Sequence, residues 1–163
     1  MAAQHLNGYR SDRLRSGGLP LRAYDELIRY SGEYLSAADG PHSATKPLDR
    51  VAEIAYLVLR ISKGDVRLRL GTLASKLGVQ SRVLGDRFRQ LYGATLKDCQ
   101  IRIRIEWACH TIRTFPDRKI SSVAADSGYS DIADFNHVFR KYTGVSPRQY
   151  QVDCQRSDDA TKF

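Results

Sequence analysis

The sequence predicts an all-α fold: two helix-turn-helix subdomains joined by a connecting helix, with an N-terminal helical extension. Apolar residues recur at three- and four-residue steps along most of the 163-residue chain, as in amphipathic helices. A series of apolar residues and glycines that begins at Leu70 returns 50 to 51 residues later, which indicates an internal repeat. The longest apolar run, residues 54–59, is far shorter than the ~20 residues of a membrane span.

The first 46 residues are expected to form a flexible arm, an amphipathic helix and a linker. Residues 1–18 mix Arg, Ser, Gly and Asn and lack the apolar core of a signal peptide. Apolar residues then follow helical spacing from Pro20 to Leu35, and residues 37–46 carry the Asp, Gly, Pro and Ser typical of a linker. Without a signal peptide or a membrane span, we expect a cytoplasmic protein that contacts no membrane.

The apolar stripe of this first helix must be covered by something, because an exposed patch of that size is unusual on a soluble monomer. Its members are Leu21, Tyr24, Leu27, Ile28, Tyr34 and Leu35. The helix either packs on the rest of the chain or pairs with its copy in a second chain. We favour a homodimer through residues 20–36, because the downstream region by itself has the pattern of a complete domain.

Residues 47–153 are predicted to form one domain built on the repeat, followed by a flexible tail at 154–163. Pro47 opens a helix that ends near Gly64. The two helix-turn-helix copies then occupy about 70–92 and 120–142. In each copy a short apolar helix reaches a glycine, Gly78 or Gly128, and a second helix follows with apolar residues at i and i+4.

The segment between the copies, about 96–114, allows two interpretations. Ile101, Ile103 and Ile105 alternate with charged residues, which is typical of a strand. Indexed as a helix, the same segment has two apolar stripes on nearly opposite sides with charged residues between them. We favour the helix, because a connector between two subdomains must pack against both.

The net charge differs between the two parts of the chain, and this difference indicates the class of partner. Residues 1–65 carry a net charge of +1 and residues 66–163 a net charge of +7, which favours a polyanion, nucleic acid before membrane. The three cysteines and four histidines lack metal-ligand spacing, and no nucleotide-binding or catalytic motif is present. We therefore expect no enzyme activity, no metal and no cofactor.

The second copy carries the most specific pattern of the chain. It consists of Ile120, Val123, Ala124, Gly128, Tyr129, Ser130, Asp131, Phe135, Phe139, Arg140, Gly144, Val145, Ser146, Pro147 and Tyr150. With these residues, 48–151 resembles the DNA-binding domain of AraC/XylS-type transcriptional regulators, and Arg104 and Ala108 match that family's connecting helix. The resemblance implies seven helices in two subdomains, two recognition helices in successive major grooves of DNA, and RNA polymerase as a partner.

The resemblance implies recognition helices over about 81–92 and 131–142. Candidates for reading bases are Arg82, Asp86, Ile132, Ala133, Asn136 and His137, and candidates for phosphate contacts are Arg89, Lys119, Arg140, Lys141 and Arg148. Gly85 shares the outward face of the first helix but offers no side chain, and phosphates repel the carboxylate of Asp86. We therefore expect the first unit to position the protein more than to read bases.

Together these observations favour a sequence-specific regulator of transcription that binds double-stranded DNA, and an activator rather than a repressor. The alternative is a protein-interaction module that sequesters or modulates another regulator and binds DNA weakly or without specificity. Residues 1–47 are too few for the β-barrel effector domain of many longer family members, so we assign no small-molecule effector.

Overall fold

The computed structural model describes residues 21–39 and 46–160, with side chains over 23–37 and 46–156. Within these ranges the chain forms eight helices and no strand, which confirms the all-α prediction. In chain order the helices are α1 (Leu21–Asp39), α2 (Pro47–Ile61), α3 (Leu70–Lys76), α4 (Ser81–Tyr92), α5 (Leu96–Thr114), α6 (Ile120–Asp126), α7 (Ile132–Thr143) and α8 (Pro147–Ala160). In the part of the chain that is described, no helix is long and apolar enough to cross a bilayer.

Two of the predicted boundaries are wrong. Residues 37–39, predicted as linker, continue α1, and residues 154–160, predicted as a flexible tail, continue α8. The predicted arm of residues 1–18, the rest of the linker at 40–45 and the last three residues lie outside the described residues. Residues 96–114 form one helix, so the strand interpretation of the connector is wrong and the helical one is confirmed.

The sequence repeat corresponds to two copies of one structural unit. Helices α3 and α6 have seven residues each, and α4 and α7 have twelve. Gly78 and Gly128 turn the chain at φ +68° and +79°, a backbone conformation that glycine adopts without a steric penalty. The offset grows from 50 to 51 just before α7, where the side chain of Asp131 caps the helix by accepting a hydrogen bond from the Ala133 amide at 2.7 Å.

Helix α5 contributes to two separate cores through two of its sides. Leu96, Cys99 and Ile103 join the first core with residues of α1 to α4. Ile105, Ala108 and Ile112 join the second core, formed with α6, α7 and Tyr150 of α8. The two stripes expected from helical indexing therefore correspond to two cores, and α5 joins the subdomains as part of both.

Helix α1 packs on α2, and the part of its apolar stripe formed by Tyr24, Leu27 and Ile28 is covered within the chain. The Tyr24 side chain is 1% exposed, and Leu27 and Ile28 pack against the same core. The preference for a homodimer through residues 20–36 assumed that the downstream domain needed no further cover, and that assumption is wrong. The first core has an open side over α2, and α1 fills it, although Tyr34 stays 56% exposed.

Polar contacts fix α1 against the loop between α2 and α3. The Tyr24 hydroxyl donates to Asp65 Oδ2 at 2.7 Å and accepts from Arg67 Nη2 at 3.1 Å. Burial raises the pKa of the Asp65 carboxyl, but hydrogen bonds from Arg67 and Tyr24 outweigh burial and lower that pKa overall. Asp25 of α1 also forms an ion pair with Lys76 of α3 at 2.5 Å. Helix α1 is therefore fixed to the first helix-turn-helix unit by polar contacts as well as by its apolar stripe.

Candidate nucleic-acid interface

Helices α4 and α7 each bury one face completely and turn the opposite face to solvent. Leu84 and Phe88 of α4, and Phe135 and Phe139 of α7, have no exposed surface. All the predicted base readers lie on the exposed sides of these helices: Arg82 and Asp86 on α4, and Ile132, Ala133, Asn136 and His137 on α7. Ile132 is 43% exposed, so a large apolar side chain is available for contact beside the polar ones.

The exposed face of α4 differs from that of α7 in two ways. Arg82 Nε lies 3.8 Å from Asp86 Oδ2, so the carboxylate expected to repel phosphate has a cation beside it. Gly85 does not lie on the outward face as predicted: it is half-buried, and a Cβ there would lie 3.2 Å from Leu70 Cδ2. Its repeat counterpart Asn136 is exposed on α7. Close packing of α3 on α4 therefore leaves α4 with fewer side chains to present than α7.

The predicted phosphate contacts, Arg89, Lys119, Arg140, Lys141 and Arg148, are all exposed. Two of them, Arg89 of α4 and Lys141 of α7, act electrostatically on Asp98 at the start of α5. Hydrogen bonds from Thr95 lower the pKa of the Asp98 carboxyl, and the charges of Lys141 and Arg89 lower it further. Basic residues of both recognition helices therefore contribute positive potential at the start of the connecting helix.

Each unit makes the same two kinds of contact with the helix that follows it, an N-cap and a buried glutamine. Thr95 accepts a hydrogen bond from the Asp98 amide at 3.1 Å, and Ser146 accepts one from the Gln149 amide at 3.2 Å, so both side chains act as N-caps. Further along, the buried amides of Gln100 and Gln151 donate to the loops that precede α3 and α6. These glutamines were not among the predicted site residues, although their spacing of 51 residues follows the offset of the repeat.

Arg104 of α5 binds the turn of the second unit. Its Nε donates to the Ser127 carbonyl at 2.7 Å, and its guanidinium lies 3.8 Å from the centre of the Tyr129 ring. Burial lowers the pKa of the Arg104 guanidinium, and the nearby Tyr129, Asp134 and Asp65 partly oppose this shift. The family resemblance singled out this arginine, and its contacts give the physical reason: it fixes the second turn to the connecting helix.

The end of α2 packs closely on α5. The Gly64 amide donates to the Leu59 carbonyl at 2.8 Å, and Gly64, at φ +72°, turns the chain just past the end of α2. A Cβ at Gly64 would lie 2.6 Å from the Gln100 carbonyl oxygen, so only glycine permits this approach. Beside it, Lys63 Nζ stacks 3.6 Å from the centre of the Trp107 ring. These contacts hold the first subdomain on the connecting helix.

The connecting helix has a length that suits two successive major grooves. The residues of α5 span ~27 Å along its axis, close to the ~34 Å between adjacent major grooves on one face of DNA.

Among the described residues, no group of three or more His, Cys, Asp or Glu side chains could hold a metal ion. The arrangement suits contact with an extended polyanion, with two exposed helix faces on one support.

Residues 73–152 match the family model described as a helix-turn-helix domain. The chain carries a helix-turn-helix domain over these residues, and its relatives are consistent with the AraC/XylS type. Domains of this type bind DNA in transcriptional regulators and are not enzymes. The chain is 32% identical over 69 residues to an uncharacterized transcriptional regulatory protein, YesN of Bacillus subtilis, a match that covers 42% of this chain but only 19% of that protein.

Solved structures similar to this chain include two C-terminal domains of response regulators. One is from YesN of Fusobacterium nucleatum (27% identity, TM-score 0.55, 61% of this chain and 95% of that chain). The other is from AraT of Geobacillus stearothermophilus (26% identity, TM-score 0.59, 68% and 88%). A DNA-binding transcriptional dual regulator of Escherichia coli shares the fold (21% identity, TM-score 0.58, 71% and 98%).

Proposed function

We propose that the protein is a sequence-specific regulator of transcription that binds double-stranded DNA, with α4 and α7 in successive major grooves. The observation that carries the proposal is the duplication: two matching units present equivalent exposed helix faces, and α5 is part of the core of both. A single chain can therefore bind two grooves, and we propose that it does so without a second copy.

In this proposal α7 reads most of the sequence. Asn136 can bond bidentately to adenine, and His137 can donate to a guanine acceptor. Ile132 and Ala133 pack on thymine methyl groups. The exposure of all four side chains supports these roles, as does the buried Phe135 and Phe139 pair behind them, which holds the helix in place.

Helix α4 contributes fewer base contacts than α7. Arg82 bonds to guanine, whereas Asp86 is a candidate acceptor for a cytosine amino group that contributes little because phosphates repel its carboxylate. Arg89, Lys119, Arg140, Lys141 and Arg148 bind phosphates and set the register without reading bases. We further propose an activator that contacts RNA polymerase, as the family resemblance implies, and that acts in the cytoplasm because its target is chromosomal DNA.

The test is footprinting on genomic fragments with the purified protein, followed by binding to the selected site over a salt series. With about 6–8 phosphates neutralised, log K should fall against log salt with a slope of about −5 to −7. Asn136→Ala and His137→Ala should each weaken specific binding by about 1–3 kcal/mol, and the exposed Ser36→Ala on α1 serves as the control. A flat salt response would refute the proposal and favour the protein-interaction module.

A further inference from the structure

Basic side chains are kept at three equivalent surface positions of the two repeat units. In the aligned copies the pairs are Arg69 and Lys119, Arg89 and Arg140, and Lys97 and Arg148. The alignment is structural as well as sequential, because the first member of each pair has the same place in its unit as the second. Arg69 and Lys119 directly precede α3 and α6, and Lys97 and Arg148 lie in the first turns of α5 and α8.

Other basic positions of the first unit are not kept in the second. Arg67, Lys76, Arg82, Arg87 and Arg102 correspond to Asp117, Asp126, Ala133, Val138 and Asp153. Three of these five positions change from a cation to an anion. Equivalent surface positions of the two units therefore often differ in charge. The three positions that stay basic in both units indicate a function that the two units share.

Apart from Arg104, whose counterpart is Gln155 and which binds the Ser127 carbonyl instead of a carboxylate, ion pairing separates the two groups. The five positions that change are all paired within the chain, as Arg67–Asp65, Lys76–Asp25, Arg82–Asp86, Arg87–Asp49 and Arg102–Glu106. None of the six kept residues forms an ion pair with any residue in the described ranges. All six are exposed. Their charges are therefore available to an external anion, although the charge of Arg89 also acts on Asp98.

The kept residues lie at both ends of the recognition helix in the first unit. Arg69 precedes Leu70, whose Cδ2 contacts Gly85, and a Cβ on Gly71 would lie 3.8 Å from Ser81 Oγ at the start of α4. Lys97 lies beyond the other end of α4, next to Asp98. Helix α4, with its 12 residues, is ~17 Å long, which exceeds the ~12 Å width of a major groove. Cations beyond its two ends can therefore reach the phosphates on both sides of the groove.

We infer that each helix-turn-helix unit carries the same three-point phosphate clamp, and that Arg69 and Lys97 are DNA-backbone contacts of the first unit. The inference rests on the proposed function and assigns two residues that neither the family pattern nor the charge distribution singled out. It also explains how the first unit holds DNA although α4 has few base readers: three phosphate contacts fix its position whatever the sequence. The base-reading positions differ between the units, while the clamp is common to both.

The test compares salt slopes for duplex binding by the full chain. Arg69→Gln and Lys97→Gln should each make the slope of log K against log salt shallower by about 0.9, on specific and non-specific duplexes alike. Arg102→Gln removes the same charge from an exposed but ion-paired position and should leave the slope unchanged. Arg69→Lys keeps the cation and should retain the wild-type slope, and far-UV circular dichroism checks that each variant is folded.

The outcomes separate this inference from the proposed function. A steep wild-type slope that Arg69→Gln and Lys97→Gln change no more than Arg102→Gln does would overturn the clamp and leave the proposed function standing. A wild-type protein whose duplex binding is independent of salt would overturn both. Loss of affinity for the specific duplex alone would make Arg69 or Lys97 a base contact, and would also overturn the clamp.

Discussion

Replacing Tyr24 tests whether α1 is part of the first core. The side chain is 1% exposed, and its hydroxyl bonds to Asp65 and Arg67. Truncating a buried aromatic side chain to alanine costs about 3–5 kcal/mol, through lost burial and the cavity that remains. Tyr24→Ala should therefore lower the free energy of unfolding by about 4 kcal/mol, a large part of the ~5–15 kcal/mol of a typical domain.

Urea unfolding followed by circular dichroism measures this loss. With an m-value of about 2 kcal/mol/M, the midpoint should fall by about 2 M. The matched control is Tyr34→Ala, which removes the same ring from the same helix at a position that is 56% exposed, and which should change the free energy of unfolding by less than about 0.5 kcal/mol. Equal effects of the two substitutions would refute the docking of α1 on α2.

Deleting the N-terminal extension tests whether the downstream region is a complete domain by itself. Deleting residues 1–46 removes α1 and uncovers the part of the first core that Tyr24, Leu27 and Ile28 close. The deletion should destabilise the first subdomain at least as much as Tyr24→Ala does. A truncated protein as stable as the full chain in urea would show that α2 needs no cover.

Further measurements address other contacts. Burial and the hydrogen bond to Asp65 raise the pKa of Tyr24 from 10.0 to about 12. The free energy of unfolding of wild type should therefore exceed that of Tyr24→Phe fully below pH 10, and this excess should be lost as pH approaches 12. A difference that does not vary over this range would contradict the burial of the hydroxyl. Gly64→Ala should cost more unfolding free energy than Gly93→Ala, because both residues have positive φ but only the Cβ at Gly64 meets backbone, at 2.6 Å; thermal unfolding of the two variants decides. Arg104→Lys should cost about 2 kcal/mol, since lysine cannot both bond to the Ser127 carbonyl and stack on the Tyr129 ring; wild-type stability in urea would contradict this role. Asp86→Ala should leave binding to the selected site unchanged or tighten it, because phosphates repel the carboxylate; loss of specific binding alone would make Asp86 a true base reader.

The sequence determined the features that depend on local spacing. Helical periodicity, turn glycines and the 50- to 51-residue offset sufficed to place α3, α4, α6 and α7, because each unit repeats the same short-range pattern. The two apolar stripes of α5 likewise predicted a helix between two cores, since a stripe records which side of a helix is buried. Exposure of the candidate base readers followed from the same periodicity, with Phe88 and Phe139 marking the buried faces.

Tertiary structure decided what each buried face packs against and which charges remain free. The stripe of α1 predicted burial but could not distinguish α2 from a second chain, because both present the same kind of apolar surface. Gly85 was assigned to the outward face because periodicity predicts only the side of the helix on which a residue lies. It does not show how closely a neighbouring helix packs, and here Leu70 of α3 packs against Gly85. The partners of Lys76 and Arg87 are Asp25 and Asp49, 51 and 38 residues away, and only the folded chain brings such charges together. Arg69 and Lys97 could therefore be recognised as unpaired among the described residues only once the ion pairs of their neighbours were known, because charge composition counts cations without showing which of them the fold neutralises.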